Sequence, residues 1–396
     1  MKYELANSTW DHKEYDAMQN VIKSGKFTMG AEVKKFENDF AKKMNAKYAI
    51  MVNSGSSANL IAIASLFFRK ENPLKPGDTV IVPAVSWSTT YHPLQQYGLK
   101  CKFVDIDENT LNYDLTSLRT SICDKTRLIV AVNLLGNPND FDEINDIIGD
   151  REIYLFEDNC ESLGAKFKGE KAGTFGIAGS YSTFFSHHIS TMEGGLVTTD
   201  DEELYHIMLS LRSHGWTRHL PERNHVTGKK SMNLFEESFK FVLPGYNLRP
   251  GELHGATGIE QLKKLDGIVT ARRKNAKVFQ SLFSKLDMIK IQSEIGESSW
   301  FGFSLVLNEN CSFSRSELID VISKNDIEYR PIVSGNFLKN DVLKYYDYEI
   351  HGNLKNAEHL DKNGLFIGNH HYDITPQLKK TFGLIEELSE QKRASI

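Results

Sequence analysis

The sequence predicts an α/β chain built on a mainly parallel sheet. Three observations predict it. Short apolar runs recur through the N-terminal half, several of them continuous rather than alternating, as strands buried on both faces require. The intervals between them leave room for helices, so the connections read as crossovers. The first run ends in a glycine- and serine-rich turn that opens directly into an apolar helix.

The elements follow in order. Polar and apolar residues alternate at helical spacing over 11–23, and Gly25 and Gly30 then bracket an extended segment. Residues 32–43 put Val33, Phe36, Phe40 and Ala41 on one helical stripe. A strand over 48–52 runs into Asn53-Ser54-Gly55-Ser56 and a helix. Further strands are expected at 79–82, 102–106, 127–132, 153–156, 181–185 and 196–199. Residues 215–241 are polar and irregular, too long for a simple connection, and read as a functional loop. A long helix over 252–285 then bridges to a small α/β layer with strands near 301–307 and 328–331 and helices near 315–324 and 356–363.

A chain of 396 residues exceeds the roughly 250–300 at which a single core stops growing. The division is expected at residue 250, with a large ligand-binding domain over 1–250 and the bridging helix and small domain over 251–396. A net charge of −5 leaves no electrostatic footprint for nucleic acid. The most apolar helical run, 60–68, is far short of the ~20 residues that span a bilayer, and no export signal is visible. The expected location is cytoplasmic. Cys101, Cys123, Cys160 and Cys311 form no CxxC pair, against a disulfide framework, a zinc site or a local iron–sulfur motif.

Ligands of parallel sheets gather at the carboxyl ends of the strands. There the chain places Ser54-Gly55-Ser56, Val85-Ser86-Trp87-Ser88, Glu157-Asp158-Asn159 and Ser186-His187-His188. A Gly/Ser turn at a helix N-terminus offers free N–H groups and the positive end of the helix dipole to a phosphate; the same residues also serve as an ordinary helix cap. Taken together, Gly55, Ser56 and Ser182 suit a phosphate, Trp87 a flat ring, and Asp158 a protonated ring nitrogen. Those three features describe pyridoxal phosphate, whose ring is an electron sink only while its nitrogen stays protonated.

The segments SGSSAN, VPAVSWSTT, FEDNCESLGA, STFFSHHISTMEGG and LPGYNLRP, in this order, resemble the nucleotide-sugar aminotransferases, a family of fold-type I pyridoxal phosphate enzymes of the aspartate aminotransferase-like architecture. The resemblance implies a mainly parallel seven-stranded sheet and a homodimer with shared active sites. It implies that Asp158 pairs with the pyridine nitrogen, Trp87 packs on the ring, Gly55, Ser56 and Ser182 hold the phosphate, and Asn247 reaches the phosphate in the neighbouring subunit.

One departure is informative. At the position of the lysine that bonds to the cofactor in that family, this chain has His187, and no lysine occurs between Lys171 and Lys229. An imidazole cannot hold the aldehyde covalently, so pyridoxal or pyridoxamine phosphate is expected to be bound non-covalently. Histidine here resembles the 3-dehydratases of dideoxysugar biosynthesis, most closely those acting on GDP-4-keto-6-deoxy-D-mannose on the way to colitose and O-antigen. A related branch acting on CDP-sugars carries iron–sulfur cysteines that have no counterpart here, so no such cluster is expected. The implied reaction uses L-glutamate as amino donor and His187 as acid and base, and releases 2-oxoglutarate and ammonia. Glu161, His214 and Arg218 are candidates to orient His187 or to bind cofactor, sugar or the glutamate carboxylate; Arg330 is a candidate carboxylate anchor from the small domain. A 4-aminotransferase or a CDP-sugar dehydratase remains the alternative. A metal role for His187, His188 and Glu193 matches no zinc spacing.

Overall fold

The computed structural model describes residues 2–394. The large sheet contains β1 (Tyr48–Val52), β2 (Thr79–Pro83), β3 (Lys100–Val104), β4 (Thr126–Val132), β5 (Tyr154–Asp158), β6 (Ala178–Ser182) and β7 (Gly195–Thr199). These lie in the order β1-β7-β6-β5-β4-β2-β3. All neighbours pair in parallel except β7, which runs antiparallel to both β1 and β6. Because β7 is reversed, its start at Gly195 lies beside the end of β6 at Ser182. Both ends of the 183–194 connection therefore sit at the ligand-binding edge.

A separate four-stranded antiparallel sheet is built from β8 (Ile289–Lys290), β9 (Gly302–Leu307), β10 (Tyr329–Arg330) and β12 (Gly364–Gly368), in the order β8-β9-β12-β10. Strand β11 (Tyr348–Ile350) leaves this layer and pairs with β3 at the edge of the large sheet. The large sheet thus has eight strands where seven are expected. Glu349 secures the added strand through Lys100 and Lys102 at 2.7 and 2.8 Å. The chain also crosses the other way, for Tyr3 is buried among the small sheet's core residues.

The long helix Glu252–Phe283 joins the two parts. Ile259, Leu262 and Leu265 pack on the N-terminal helices, while Phe279 and Phe283 enter the small core beside Phe303. Phe279 stacks on Phe303 at 4.3 Å; truncating such a ring to alanine costs about 3–5 kcal/mol. At its other end Glu252 accepts from the amides of Gly30, Glu32 and Val33 at 2.7–3.0 Å, so this helix caps the helix Ala31–Met44.

The strand expected at 181–185 ends instead at Ser182. An aromatic run carries strand propensity, but Phe184 and Phe185 are exposed on the loop and Thr183 already donates to the Gly194 carbonyl. Helices that the sequence pattern did not delimit, Glu202–Leu211 and Thr375–Arg393 among them, complete the layers. Among the described residues no helix is long and apolar enough to cross a membrane.

Candidate active site

The carboxyl ends of β1, β2, β4, β5 and β6 converge on a cavity of about 360 Å³, within the range of small-molecule sites. Gly55, Ser56, Trp87, Asp158, Glu161, Ser182 and His187 all line it.

One wall is the start of the helix Gly55–Leu66, capped by Ser54 through the Ser57 amide. A side chain on Gly55 would put its Cβ 2.7 Å from Ser182 Cβ and 3.2 Å from Cys160 Sγ. Glycine is therefore what lets the helix end approach β6 and present its N–H groups. Ser56 Oγ donates to Thr89 Oγ1 at 3.1 Å on the same rim, and Trp87 lies open beside it.

The floor is Asp158, buried at the end of β5. Its Oδ2 accepts from Asn59 Nδ2 at 2.8 Å and Thr90 Oγ1 at 2.7 Å, and its Oδ1 from the Cys160 amide at 3.2 Å. Ser180 in turn donates to Asn59 Oδ1 at 2.5 Å and fixes that amide. The carboxylate is thus held by neutral donors and keeps capacity for a cationic N–H. Sequence reasoning did not single out Asn59 and Thr90, although both lie inside the SGSSAN and VSWSTT motifs. Phe301 and Val333, which close the cavity from the small domain, carry no motif signal at all.

His187 and His188 have different fates. His188 is wholly buried and donates through Nε2 to the Ser299 carbonyl at 3.1 Å. His187 lines the cavity; its Nδ1 is sealed without a partner, which leaves Nε2 as the nitrogen available for proton transfer. Burial, then the positive charge of Arg272, lowers His187 to about 4. It is neutral at pH 7 and ready to accept a proton. Glu161, which also lines the cavity, accepts from the Leu135 amide at 2.9 Å. Burial and the adjacent Asp158 charge push it up to about 7, against that hydrogen bond.

The loop that carries His187 is fastened from several sides. Trp10 Nε1 donates to the Ser190 carbonyl at 3.0 Å, and Gln261 accepts from the Ser190 amide at 3.0 Å and from Thr9 Oγ1 at 2.5 Å. Thr183 and Thr191 close its base through hydroxyls 2.6 Å apart.

A family model for the DegT/DnrJ/EryC1/StrS aminotransferases matches residues 8–378. The chain belongs to that family. It is 59% identical over 388 residues to GDP-4-keto-6-deoxy-D-mannose 3-dehydratase of Yersinia pseudotuberculosis, covering 98% of this chain and 99% of the relative. A crystal structure of a histidine-to-asparagine variant of GDP-4-keto-6-deoxymannose-3-dehydratase with bound GDP-perosamine superposes with a TM-score of 0.96 at 58% identity, over 97% of this chain and 100% of the other. The same enzyme with a trapped pyridoxal phosphate–glutamate geminal diamine gives the same score, identity and coverage.

The remaining candidates stand outside this cavity. Asn247 is exposed and bridges to Ser213, and the His214 amide donates to the Tyr246 carbonyl at 2.6 Å. Arg218 stacks its guanidinium 4.9 Å from the Trp216 ring centre. These three form a second group along the 213–247 segment. Arg330 is exposed and donates to the Tyr329 carbonyl. Of the cysteines only Cys160 lines the cavity; among the described residues no cluster of three or more His, Cys, Asp or Glu is arranged to hold a metal.

Proposed function

We propose that this chain is a pyridoxal phosphate-dependent 3-dehydratase that converts GDP-4-keto-6-deoxy-D-mannose to the 4-keto-3,6-dideoxy sugar, with L-glutamate as amino donor. The observation that carries the reading is His187 on the wall of a cavity that, among the described residues, no lysine lines and that is otherwise furnished for the cofactor. The relatives that carry the activity in their names, and whose structures hold a nucleotide sugar or a pyridoxal phosphate–glutamate adduct, support it.

The residues present fit the cofactor. The helix N-terminus at Gly55, with Ser56 and Ser182, would hold its phosphate. Trp87 would pack on the ring, Asp158 would hold the ring nitrogen's proton, and Glu161 would bound the same cavity. When bound, the cofactor supplies an electron sink and an amine that can condense with a keto carbon. His187 Nε2 takes the proton from the glutamate α-carbon in the first half-reaction. In the second it removes the proton whose loss expels the sugar 3-hydroxyl as water. A neutral imidazole at pH 7 suits the first, accepting step of each transfer. With no lysine to displace the nitrogen, the unsaturated sugar amine leaves and hydrolyses, releasing ammonia.

Asn247, His214 and Arg218 belong in this reading to the neighbouring subunit's site, in a homodimer, with Arg330 as a carboxylate anchor from the small domain. A cytoplasmic place in colitose and O-antigen synthesis goes with the same reading. The test is incubation with pyridoxal phosphate, glutamate and a panel of GDP- and CDP-linked 4-keto-6-deoxy sugars. Ammonia, 2-oxoglutarate and dideoxy sugar should appear together, fastest with the GDP-mannose derivative. A stable amino sugar as the main product would overturn the proposal.

A further inference from the structure

Behind the cavity wall stands a buried cation that has no counter-ion among the described residues. Arg272, on the long helix, is 5% exposed. Its Nη1 donates to the Trp300 and Phe301 carbonyls at 3.4 and 2.9 Å, and its Nε has no partner. Asn369 clamps the same corner, donating to the carbonyls of Arg272 and Trp300 at 3.2 and 2.9 Å. Trp300 is held there at a φ of +51°. The opposite side of this short shelf meets the histidine loop: the Ser299 carbonyl takes the His188 hydrogen bond, and the Phe301 ring lies 5.2 Å from the His187 ring and 5.9 Å from that of His188.

A buried guanidinium without a carboxylate is costly. Burial lowers Arg272 only to about 10, so it stays charged at neutral pH, and both imidazoles feel it as a repelling charge. The other titratable groups that face His187 are Asp158 and Glu161 from the end of β5, Glu193 from the turn before β7, and the neighbouring His188. Among the described residues none of the three acids is within ion-pair distance of the imidazole.

We propose that Arg272 is a positioning residue for the His187 proton transfer: it fixes the Trp300–Phe301 shelf against which the imidazole packs, and its uncompensated charge disfavours a second cation there. The inference rests on the reading of His187 as the proton carrier. It is tested on the full chain by the pH dependence of His187 carbethoxylation with diethyl pyrocarbonate, followed by peptide mass spectrometry. That readout reports the neutral imidazole whether or not the enzyme turns over.

In the wild-type chain the rate should be flat from pH 8 to 5.5. Losing the Arg272 charge lets the imidazole hold its proton to higher pH, so in Arg272→Met the rate at pH 5 relative to pH 8 should fall below the wild-type ratio, by about twofold for a shift of about one pH unit. Arg272→Lys keeps the charge but not the forked donors. It should retain the wild-type profile yet lower kcat of the glutamate half-reaction, with KM little changed. Wild-type profile and kcat in both variants would overturn the proposal. A wild-type midpoint at 6.5 or above would do so even if neither variant folds. Failure of the functional reading is a separate result: His187→Asn that still dehydrates would remove His187 from the chemistry while the modification profile still reports on Arg272.

Discussion

Two irregular segments, the loop that presents His187 and the segment that runs between His214 and Asn247, are held in opposite ways. The 183–194 loop is fastened by Trp10, Gln261, Ser299 and its own paired threonines, all within one chain. The 215–241 segment leaves Leu234 and Phe235 at 84% and 87% exposure, with Met232 and Phe239 close behind. A loop that must present one imidazole at a fixed point is built against its own scaffold. A segment that keeps several large apolar side chains in water lacks neighbours that another molecule can supply, and here Arg218 lies within it and His214 and Asn247 on its flanks.

The sharpest way to test the first half of that contrast is to remove what the loop presents. His187→Asn should cut dehydration by roughly 10²–10⁴, the range for losing a positioned acid–base group, with the thermal midpoint little changed because the residue faces the cavity. Ammonia release from the GDP-sugar at fixed glutamate is the measurement; retained turnover would take His187 out of the mechanism. Next in size is the loop's fastening. Gln261 serves Ser190 and Thr9 and donates to Glu14 at 2.8 Å. Gln261→Leu should cost about 1–3 kcal/mol by stranding buried polar groups and slow both half-reactions together. An unchanged melting curve and rate would mean the loop holds itself.

The second half of the contrast is tested on the exposed segment. If the proposed homodimer closes over this segment, Leu234→Ser with Phe235→Ser should raise its dissociation constant roughly tenfold or more, as interface aromatics do. Monomer stability should move by no more than about 0.5 kcal/mol. Sedimentation velocity across a dilution series reads the first and thermal melting the second. Unchanged association would assign the apolar surface to something other than a second copy.

Much of this arrangement is legible in the residues. The continuous apolar runs at Tyr48–Val52 and Thr126–Val132 and the turn at Gly55 depend on local pattern alone, and of the strand-end residues Gly55, Ser56, Trp87, Asp158 and His187 meet in one cavity. What the pattern could not carry is long-range pairing. Tyr348–Ile350 joins the edge of a sheet more than 200 positions away because its backbone finds β3, which no local periodicity encodes. Phe184 and Phe185 read as strand because aromatic residues favour sheets, yet the last rung is the Thr183 amide on the Gly194 carbonyl and both rings stand exposed beyond it. Arg272 looks like any arginine on a long helix; only the packing of 299–301 reveals it as a cation with no counter-ion among the described residues.

The mildest expected effect compares the two segments through their histidines. Burial, with help from neighbouring cations, lowers His187 in the first and His219 in the second to about 4, against about 6.5 in an unfolded chain. A value lowered on folding means the unfolded state binds more protons between these limits. The stability conferred by the neutral ring is therefore intact above pH 6.5 and is lost progressively as the pH falls toward 4. Glu161, raised to about 7, acts in the opposite sense, its contribution fading as the pH rises through 7, so the net slope of the cofactor-free chain is smaller than the histidines alone would give. Replacing His219 by Gln removes one contributor without touching the cavity. It should flatten the loss of stability between pH 6.5 and 5 by less than roughly 1 kcal/mol per pH unit, allowing for partial exposure. Urea midpoints at three pH values measure it. A slope unchanged by His219→Gln would show that the segment already opens before the global transition, which is what an arm lacking its partner should do.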